Sequence, residues 1–178
     1  MNKLNNLNFD NKEGKIFAFF IGLILLILLA LSLIKVDTLV MRDKFDGNIL
    51  ATRRLKADSY IGIIYKHSVE KTTTSEWYRI ENGKLILMEE RYKSQGAGLP
   101  TETKYKFKHT KDSFVLYDIN LPFEEVVYRT GMVIANHRLN IDGKEEYFTD
   151  FSRKRQAVAF TVEKVPFIKF IIRRCIYG

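Results

Sequence analysis

The pattern of apolar and polar positions divides the chain into two parts with different periods. Between Ile16 and Ile34 nineteen residues carry no charge, and only Gly22 and Ser32 interrupt the apolar run. The hydrocarbon core of a bilayer, about 30 Å thick, needs about 20 helical residues at about 1.5 Å each. A soluble core helix would show a polar stripe, and this run has none. The pattern therefore predicts a transmembrane helix over residues 16–34.

Processing and orientation of this helix stay open in the sequence. Ala30-Leu31-Ser32 fits a small-x-small cleavage site, so a removed signal peptide is an alternative to an anchor. The apolar run exceeds the usual length of about 7–15 residues for a signal peptide, which favours an uncleaved anchor. Three lysines precede the run, but Lys35, Arg42 and Lys44 follow it, so charge does not set the orientation. We expect residues 1–15 to form a cytoplasmic tail and the rest to lie outside the cytoplasm.

Beyond Lys35 the apolar positions alternate with a period of two, which is typical of half-buried strands. Three segments show this alternation most clearly: Ile61, Ile63 and Tyr65; Lys104 to Lys108, with lysines against aromatics; and Val158, Phe160 and Val162. We expect residues 35–165 to form one β domain.

Three Gly-containing dipeptides predict hairpins in this domain. Asn82-Gly83 and Asp142-Gly143 each separate two strand-like runs and favour type I′ turns, whose central residues need positive φ. Asp46-Gly47 predicts a third hairpin. About nine or ten short strands at this spacing predict an all-β, antiparallel sandwich or barrel-like domain. No convincing amphipathic helix precedes the tail.

The tail, residues 166–178, is apolar and basic. As a helix, Phe167–Tyr177 would set Lys169 and Arg173 on a narrow stripe against a broad apolar surface, as in interfacial membrane helices. A last buried strand with basic ends is the alternative. Lys169, Arg173 and Arg174 are the membrane-surface candidates.

Composition narrows the partners. The 178 residues carry a net charge of +8, with 46% hydrophobic and 28% charged residues, so the chain is not disordered. The single cysteine, Cys175, excludes an intrachain disulfide. A basic balance suggests anionic lipid, an acidic partner or nucleic acid. If the domain is exported, nucleic acid becomes improbable, and we expect none.

Candidate chemistry is sparse. His67 and Ser68 are neighbours on a strand and point to opposite faces, which argues against a nucleophile–base pair, and we expect no enzyme. The histidines and Cys175 lack metal-ligand spacing, and we expect no metal or cofactor, although a site of His67, Glu70 and Glu76 is conceivable.

Two further segments have mainly structural interpretations. Gly96-Ala97-Gly98-Leu99-Pro100 is a loop without the following helix and Lys-Ser/Thr pair of a phosphate-binding loop. It predicts a sheet-to-sheet crossover or, alternatively, a binding loop near His67. Glu89, Glu90 and Arg91 predict a solvated strand face or an ion pair.

Two motifs together resemble a known family. The segment His67-Ser68-Val69-Glu70-Lys71-Thr72, then Glu76, then the loop at residues 96–100 resembles domain-of-unknown-function family 1850. Residues 39–42 and 49–51 also look like the family's first hairpin, so the likeness covers about residues 37–162. The resemblance assigns no catalytic residue. It makes His67, Ser68, Glu70, Glu76 and residues 96–100 binding candidates.

The resemblance also implies a setting. Such proteins are small, exported or membrane-anchored, and are often encoded beside TAXI-type TRAP transporters, which take up organic acids using ion gradients. The leading hypothesis is a non-catalytic accessory protein of such a transporter, single-pass, with its domain outside the cytoplasm and a permease or solute-receptor subunit as partner. The alternatives are a ligand- or metal-binding sensor module and a surface hydrolase.

Overall fold

A computed structural model describes residues 11–67, 71–93, 104–130 and 136–177. The first element is helix α1, Asn11–Leu33. Its segment Lys12–Leu33 is long and apolar enough to cross a membrane, with none of its most apolar stretch buried in the protein. By length and composition, α1 is therefore a candidate for either a membrane span or a signal sequence.

Two antiparallel sheets follow α1. Strands β2-β1-β11-β8 form one sheet, and strands β10-β9-β3-β4-β5-β7-β6 form the other. The strand bounds are β1 Lys35–Asp43, β2 Ile49–Arg54, β3 Tyr60–Lys66, β4 Thr73–Glu81, β5 Lys84–Tyr92, β6 Lys106–His109, β7 Phe114–Phe123, β8 Val126–Arg129, β9 Arg138–Ile141, β10 Lys144–Tyr147 and β11 Ala157–Pro166. The described residues thus hold eleven strands, and the predicted all-β, sandwich-like antiparallel fold is confirmed.

One apolar core joins the inner faces of the two sheets. Leu39 and Met41 of β1 and Phe160 of β11 come from the four-stranded sheet and are almost fully buried. Ile61 and Ile63 of β3 meet them from the seven-stranded sheet, and Tyr65 packs against the same core. The period-two prediction for β3 is therefore confirmed, because all three residues share the inner face.

The predicted hairpins are present. Asn82 and Gly83 have φ of 51° and 76° between β4 and β5, and Asp142 and Gly143 have φ of 52° and 88° between β9 and β10. Gly47, with φ of 73°, lies in the connection from β1 to β2. Glycine and Asn/Asp tolerate this left-handed backbone at low cost, which explains why these dipeptides mark the turns.

The sandwich has two ends, which we name by their distance from α1. At the α1 end, β1 starts at Lys35, one residue after Ile34, and β11 ends at Pro166, opposite Lys35. Because strands β2 and β3 are joined by only residues 55–59, β3 starts at this end and finishes at the far end. At the far end Ala157 of β11 pairs with Arg129 of β8. The chain enters the undescribed stretches 68–70, 94–103 and 131–135 from the far end.

The tail forms a helix, α2, Phe167–Tyr177. A short 3-10 helix, Phe148–Asp150, lies earlier in the chain, between β10 and β11. Phe170 of α2 packs with Val36 and Val165 on the outer face of the four-stranded sheet. The backbone N–H of Phe167 donates to the carbonyl of Ile34 at 2.7 Å, so α2 starts beside the end of α1. Of the two interpretations of the tail, the buried strand is therefore wrong.

Strand β6 departs from its predicted half-buried pattern. All four residues of Lys106–His109 are exposed, including Phe107 at 44%. The strand pairs only with β7 and forms the edge of the larger sheet. Alternation of lysine and aromatic residues predicted a strand correctly, but at the edge of the sheet Phe107 stacks on Phe114 and stays largely exposed.

Candidate functional site

The predicted binding residues fall into two groups. Ser68, Glu70 and residues 96–100 lie outside the described residues, and those predictions stay untested. His67 follows β3 at the far end, where its N–H donates to the carbonyl of Thr72 at 2.8 Å. Glu76 lies on β4, and the other predicted candidates that the structure describes are on α2. Among the described candidates, Glu76 is therefore the one placed inside the sandwich.

Glu76 faces a second glutamate across the inner side of the larger sheet. In the antiparallel register Glu76 of β4 is opposite Ile63 of β3 on one side and Glu90 of β5 on the other. Directly opposite residues share a face, and like charges at such positions destabilise a sheet. No described Lys or Arg forms an ion pair with either carboxylate. The core face of the sheet thus carries an uncompensated glutamate pair.

Three tyrosine hydroxyls surround Glu76. Tyr65 donates to its Oε1 at 3.0 Å, and Tyr78 donates to its Oε2 at 2.7 Å. Tyr128, from β8 of the opposite sheet, also donates to Oε2, and its hydroxyl lies 2.6 Å from that of Tyr78. Each hydroxyl has one proton, so the two tyrosines cannot both bond the carboxylate and each other. The cluster therefore links both sheets through the Glu76 carboxylate.

Burial and charge keep these hydroxyls protonated. Burial first, and the Glu76 carboxylate second, raise the pKa of Tyr65, Tyr78 and Tyr128 above the ordinary value of 10.0. A phenolate beside a carboxylate in a low-dielectric site is costly. At neutral pH all three groups are therefore hydrogen-bond donors.

Glu90 lacks such partners. It makes no hydrogen bond or ion pair with any residue that the structure describes. Burial first, and the nearby Glu76 carboxylate second, raise the pKa of Glu90 above its ordinary value of 4.5. A half-buried carboxyl with a raised pKa can hold a proton or accept a hydrogen-bonding or cationic ligand.

His137 closes the cluster on its β9 side. Its ring stacks on Tyr65, with 5.3 Å between the ring centroids. Its Nδ1 is buried and has no hydrogen-bond partner among the described residues. Burial lowers the pKa of His137 from 6.5, although Glu76 acts in the opposite direction. At neutral pH the imidazole is neutral and can still accept or donate one hydrogen bond.

The prediction for Glu90 needs correction, and the reason is a bulge. Glu89 and Arg91 do form an ion pair, at 2.7 Å, on the outer face, but Glu90 points inward. In a regular hairpin without a bulge, pairing the residues outward from the Asn82-Gly83 turn would place Glu76 opposite Glu89. The register shifts by one residue before Glu89, so Glu90 takes that position instead. A bulge flips the faces of every residue beyond it, and nothing in the sequence marked it.

The described part of the chain contains no cluster of side chains suited to bind a metal ion. There, no group of three or more His, Cys, Asp or Glu side chains could hold a metal ion. Hydroxyls, two carboxyls and one imidazole are instead suited to hydrogen bonding and proton exchange.

The three membrane-surface candidates on α2 face different surroundings. Lys169 and Arg174 are exposed. Arg173 instead turns to the sheet, where its Nη1 donates to Glu163 at 2.7 Å. Arg42 binds the other oxygen of Glu163 at 2.5 Å. Although burial alone would raise it, bonds from Arg173 and Arg42 lower the pKa of Glu163 below 4.5.

Together these features define a class: a β-sandwich protein with an N-terminal apolar helix and a polar cluster between its sheets. The family model described as domain of unknown function DUF1850 matches residues 61–148. The segment belongs to that family, as the two motifs predicted, and it includes every member of the Glu76 cluster. The match is narrower than the expected residues 37–162. No curated protein and no solved structure is significantly similar to the chain.

Proposed function

We propose that this protein is a membrane-anchored, non-catalytic accessory protein of a TAXI/TRAP-type secondary transporter, with its domain outside the cytoplasm. One observation carries the proposal: the β domain starts at Lys35, directly behind α1, the one helix of the described residues that is long and apolar enough to cross a membrane. The short connection ties the sandwich to the lipid surface, where a transporter permease also resides. The match of residues 61–148 to the DUF1850 model fits the proposal, since the resemblance to that family implies a setting beside such transporters.

Distance from α1 supports our choice of the part of the domain that would contact a transporter subunit. Strand β1 has nine residues, which span about 30 Å at about 3.3 Å each. His67 and the entry to the loop at residues 96–100 lie at the far end, about this distance from the end of α1. A solute receptor, or the outer face of a permease, is accessible at that height, whereas lipid is not. We therefore assign partner binding to His67 and residues 96–100.

Co-purification from native membranes tests the assignment. An affinity-tagged full-length chain should recover a permease or receptor subunit, and His67→Ala should reduce the recovery. Glu81→Gln is the matched control, since Glu81 is exposed at the opposite end of the same sheet. Absence of every transporter subunit from the wild-type eluate, with solute uptake intact in a deletion strain, would discard the proposal.

A second candidate function is a ligand-binding sensor module at the cell surface. The uncompensated Glu76–Glu90 pair favours it, because perturbed carboxyls concentrate at binding sites. A ligand that binds only the folded state raises the melting temperature by several degrees at saturation. Thermal melting with a panel of organic acids, amines and divalent ions is the test. A panel without any shift in the wild type, or the same shift in Glu90→Gln, counts against a site at this pair.

A further inference from the structure

A cleft of about 680 Å³ opens at one edge of the sandwich, beside the edge strands β2 and β10. It lies between edge strand β2, the β9–β10 hairpin and the C-terminal half of α2. Its lining is dominated by charge: Arg53, Arg54, Lys56, Asp142, Lys144, Glu145, Glu146 and Arg174, with Ile141. This volume falls within the range of about 300–1,000 Å³ that is typical of small-molecule sites, and it can hold a polar headgroup.

Every acidic residue of the cleft already has a partner. Glu146 pairs with Arg53 at 2.6 Å, and Glu145 pairs with Arg138 at 2.6 Å. Asp142 accepts bonds from the Ser59 hydroxyl and from the backbone N–H of Tyr60, each at 2.9 Å. Arginines neutralise two of these carboxylates, whereas Asp142 has only neutral donors and keeps its negative charge. The lining holds five cationic and three acidic side chains, so it is net positive by two charges.

Four cations of the cleft have no such partner. Arg54, Lys56, Lys144 and Arg174 form no ion pair with any carboxylate in the described part of the chain. The Arg54 guanidinium lies over the Phe167 ring, 5.6 Å from its centroid, which leaves its N–H groups free. Four unpaired cations around one cleft create a positive potential that attracts a polyvalent anion.

The cleft also lies near the α1 end. The N–H of Leu55, next to Arg54, donates to the carbonyl of Asp37, two residues beyond Lys35. At about 3.3 Å per residue, Arg54 lies about 10 Å from the start of β1. Phe167, beneath its guanidinium, bonds directly to Ile34 at the end of α1. This separation is comparable with the Debye length of about 8–10 Å at physiological salt.

We propose that the cleft binds the phosphate of an anionic lipid headgroup, with Arg54, Lys56, Lys144 and Arg174 as its cationic lining. The inference requires α1 to be a membrane anchor, but it does not depend on a transporter partner. Bound lipid would hold the sandwich against the membrane at its α1 end. The far end, with His67 and the Glu76 cluster, would then stay directed away from the lipid.

Native mass spectrometry of the full-length protein in detergent micelles tests the proposal. The probes are phosphatidylglycerol, phosphatidylcholine and inorganic phosphate. We expect the wild type to bind phosphatidylglycerol more tightly than phosphatidylcholine. The triple variant Lys56→Gln, Lys144→Gln, Arg174→Gln should weaken phosphatidylglycerol binding by about tenfold or more.

A control of equal charge change separates the cleft from general electrostatics. Lys93→Gln, Lys111→Gln, Lys154→Gln removes three exposed cations near the far end and should keep the wild-type preference. If the cleft variant has a lower melting temperature than the wild type, Lys144→Gln alone replaces it, since Lys144 is exposed in a turn-flanking position.

Three results would overturn the proposal. These are equal affinity for the two lipids, an equal loss in both triple variants, and binding of inorganic phosphate as tight as that of the lipid. The last result would assign the cleft to a soluble phosphate ligand. Because the assay contains no transporter, its outcome is separate from the co-purification result.

Discussion

Two carboxylate sites in this protein are built in opposite ways. Glu163, on the outer face of the four-stranded sheet beneath α2, receives guanidinium groups from Arg42 and Arg173. Glu76 and Glu90 lie opposite each other on the inner face of the larger sheet, with no described cation. Tyrosine hydroxyls bond Glu76 but not Glu90. The pKa of Glu163 is lowered and that of Glu90 is raised.

The difference indicates what each site is for. A carboxylate held between two arginines stabilises the contact of a helix with a sheet. Both oxygens of Glu163 already have a charged partner, so the site needs no ligand. A half-buried carboxyl pair without a cation costs stability, and such a cost is characteristic of functional sites. The family match covers only one of the two sites. Residues 61–148 contain the whole Glu76 cluster and exclude Arg42, Glu163 and Arg173.

The largest expected effect is at Glu76. Glu76→Leu removes the acceptor of three tyrosine hydroxyls, although Tyr78 and Tyr128 can still bond each other. Unsatisfied buried donors cost about 1–3 kcal/mol each, so we expect a loss of about 3 kcal/mol in the free energy of unfolding. Urea denaturation of the full-length protein in micelles measures it. A loss no larger than that of exposed Glu81→Leu would show that the cluster is not a structural network.

A smaller loss is expected at Glu163. Glu163→Gln keeps one acceptor oxygen but removes the negative charge with which both Arg42 and Arg173 pair. We expect a loss of about 2 kcal/mol in the free energy of unfolding. The same denaturation assay applies, with Glu125→Gln as control. Glu125 pairs only with exposed Lys44, and such surface pairs contribute about 0–1 kcal/mol. Equal effects of the two substitutions would contradict the contrast drawn here.

Glu90→Gln should have the opposite sign. It removes the like charge opposite Glu76 and the cost of ionising a half-buried carboxyl, so we expect a gain of about 1 kcal/mol at pH 7. Because the folded pKa of Glu90 is raised, the wild type loses stability as pH rises from the ordinary value of 4.5 through the folded pKa. The gain in the variant should therefore appear over that window and level off above it. A gain of the same size at pH 4 and pH 7 would refute the assignment.

The smallest effect concerns His137. Burial lowers its pKa, so its stabilising neutral form is present above 6.5 and is lost as pH falls toward the folded pKa. NMR titration of the imidazole protons should give a midpoint below 6.5, and His137→Phe should remove this part of the pH dependence. A midpoint at or above 6.5 would mean that the ring is either exposed or bonded to Glu76.

The sequence predicted the parts of the fold that depend on local pattern. The uncharged run identified α1, the glycine dipeptides located three hairpins, and alternation identified strands such as β3. The helical nature of α2 was undecided, because an apolar-basic run of eleven residues fits a helix or a strand equally well. What decides between them is packing of Phe170 on Val36 and Val165, which are distant in sequence.

The site was only partly predictable for the same reason. Glu76 was a candidate through its motif, but Tyr128 and His137 join its cluster from positions more than fifty residues away. Tyr128 bonds Glu76 directly, and His137 stacks on Tyr65. Glu90 was assigned to the wrong face, since one bulge residue in β5 reverses the alternation beyond it. Contacts between sheets and bulges are tertiary features, and neither leaves a period in the sequence.

Labelling of Cys175 tests the central claim most directly, which is that α1 carries the sandwich across a membrane. Cys175 is the single cysteine and is exposed on α2. A membrane-impermeant maleimide should label it in intact spheroplasts, whereas Lys12→Cys in a Cys175→Ser background should react only after permeabilisation. Labelling of position 12 in intact spheroplasts, with Cys175 protected until the membrane is opened, would contradict the account.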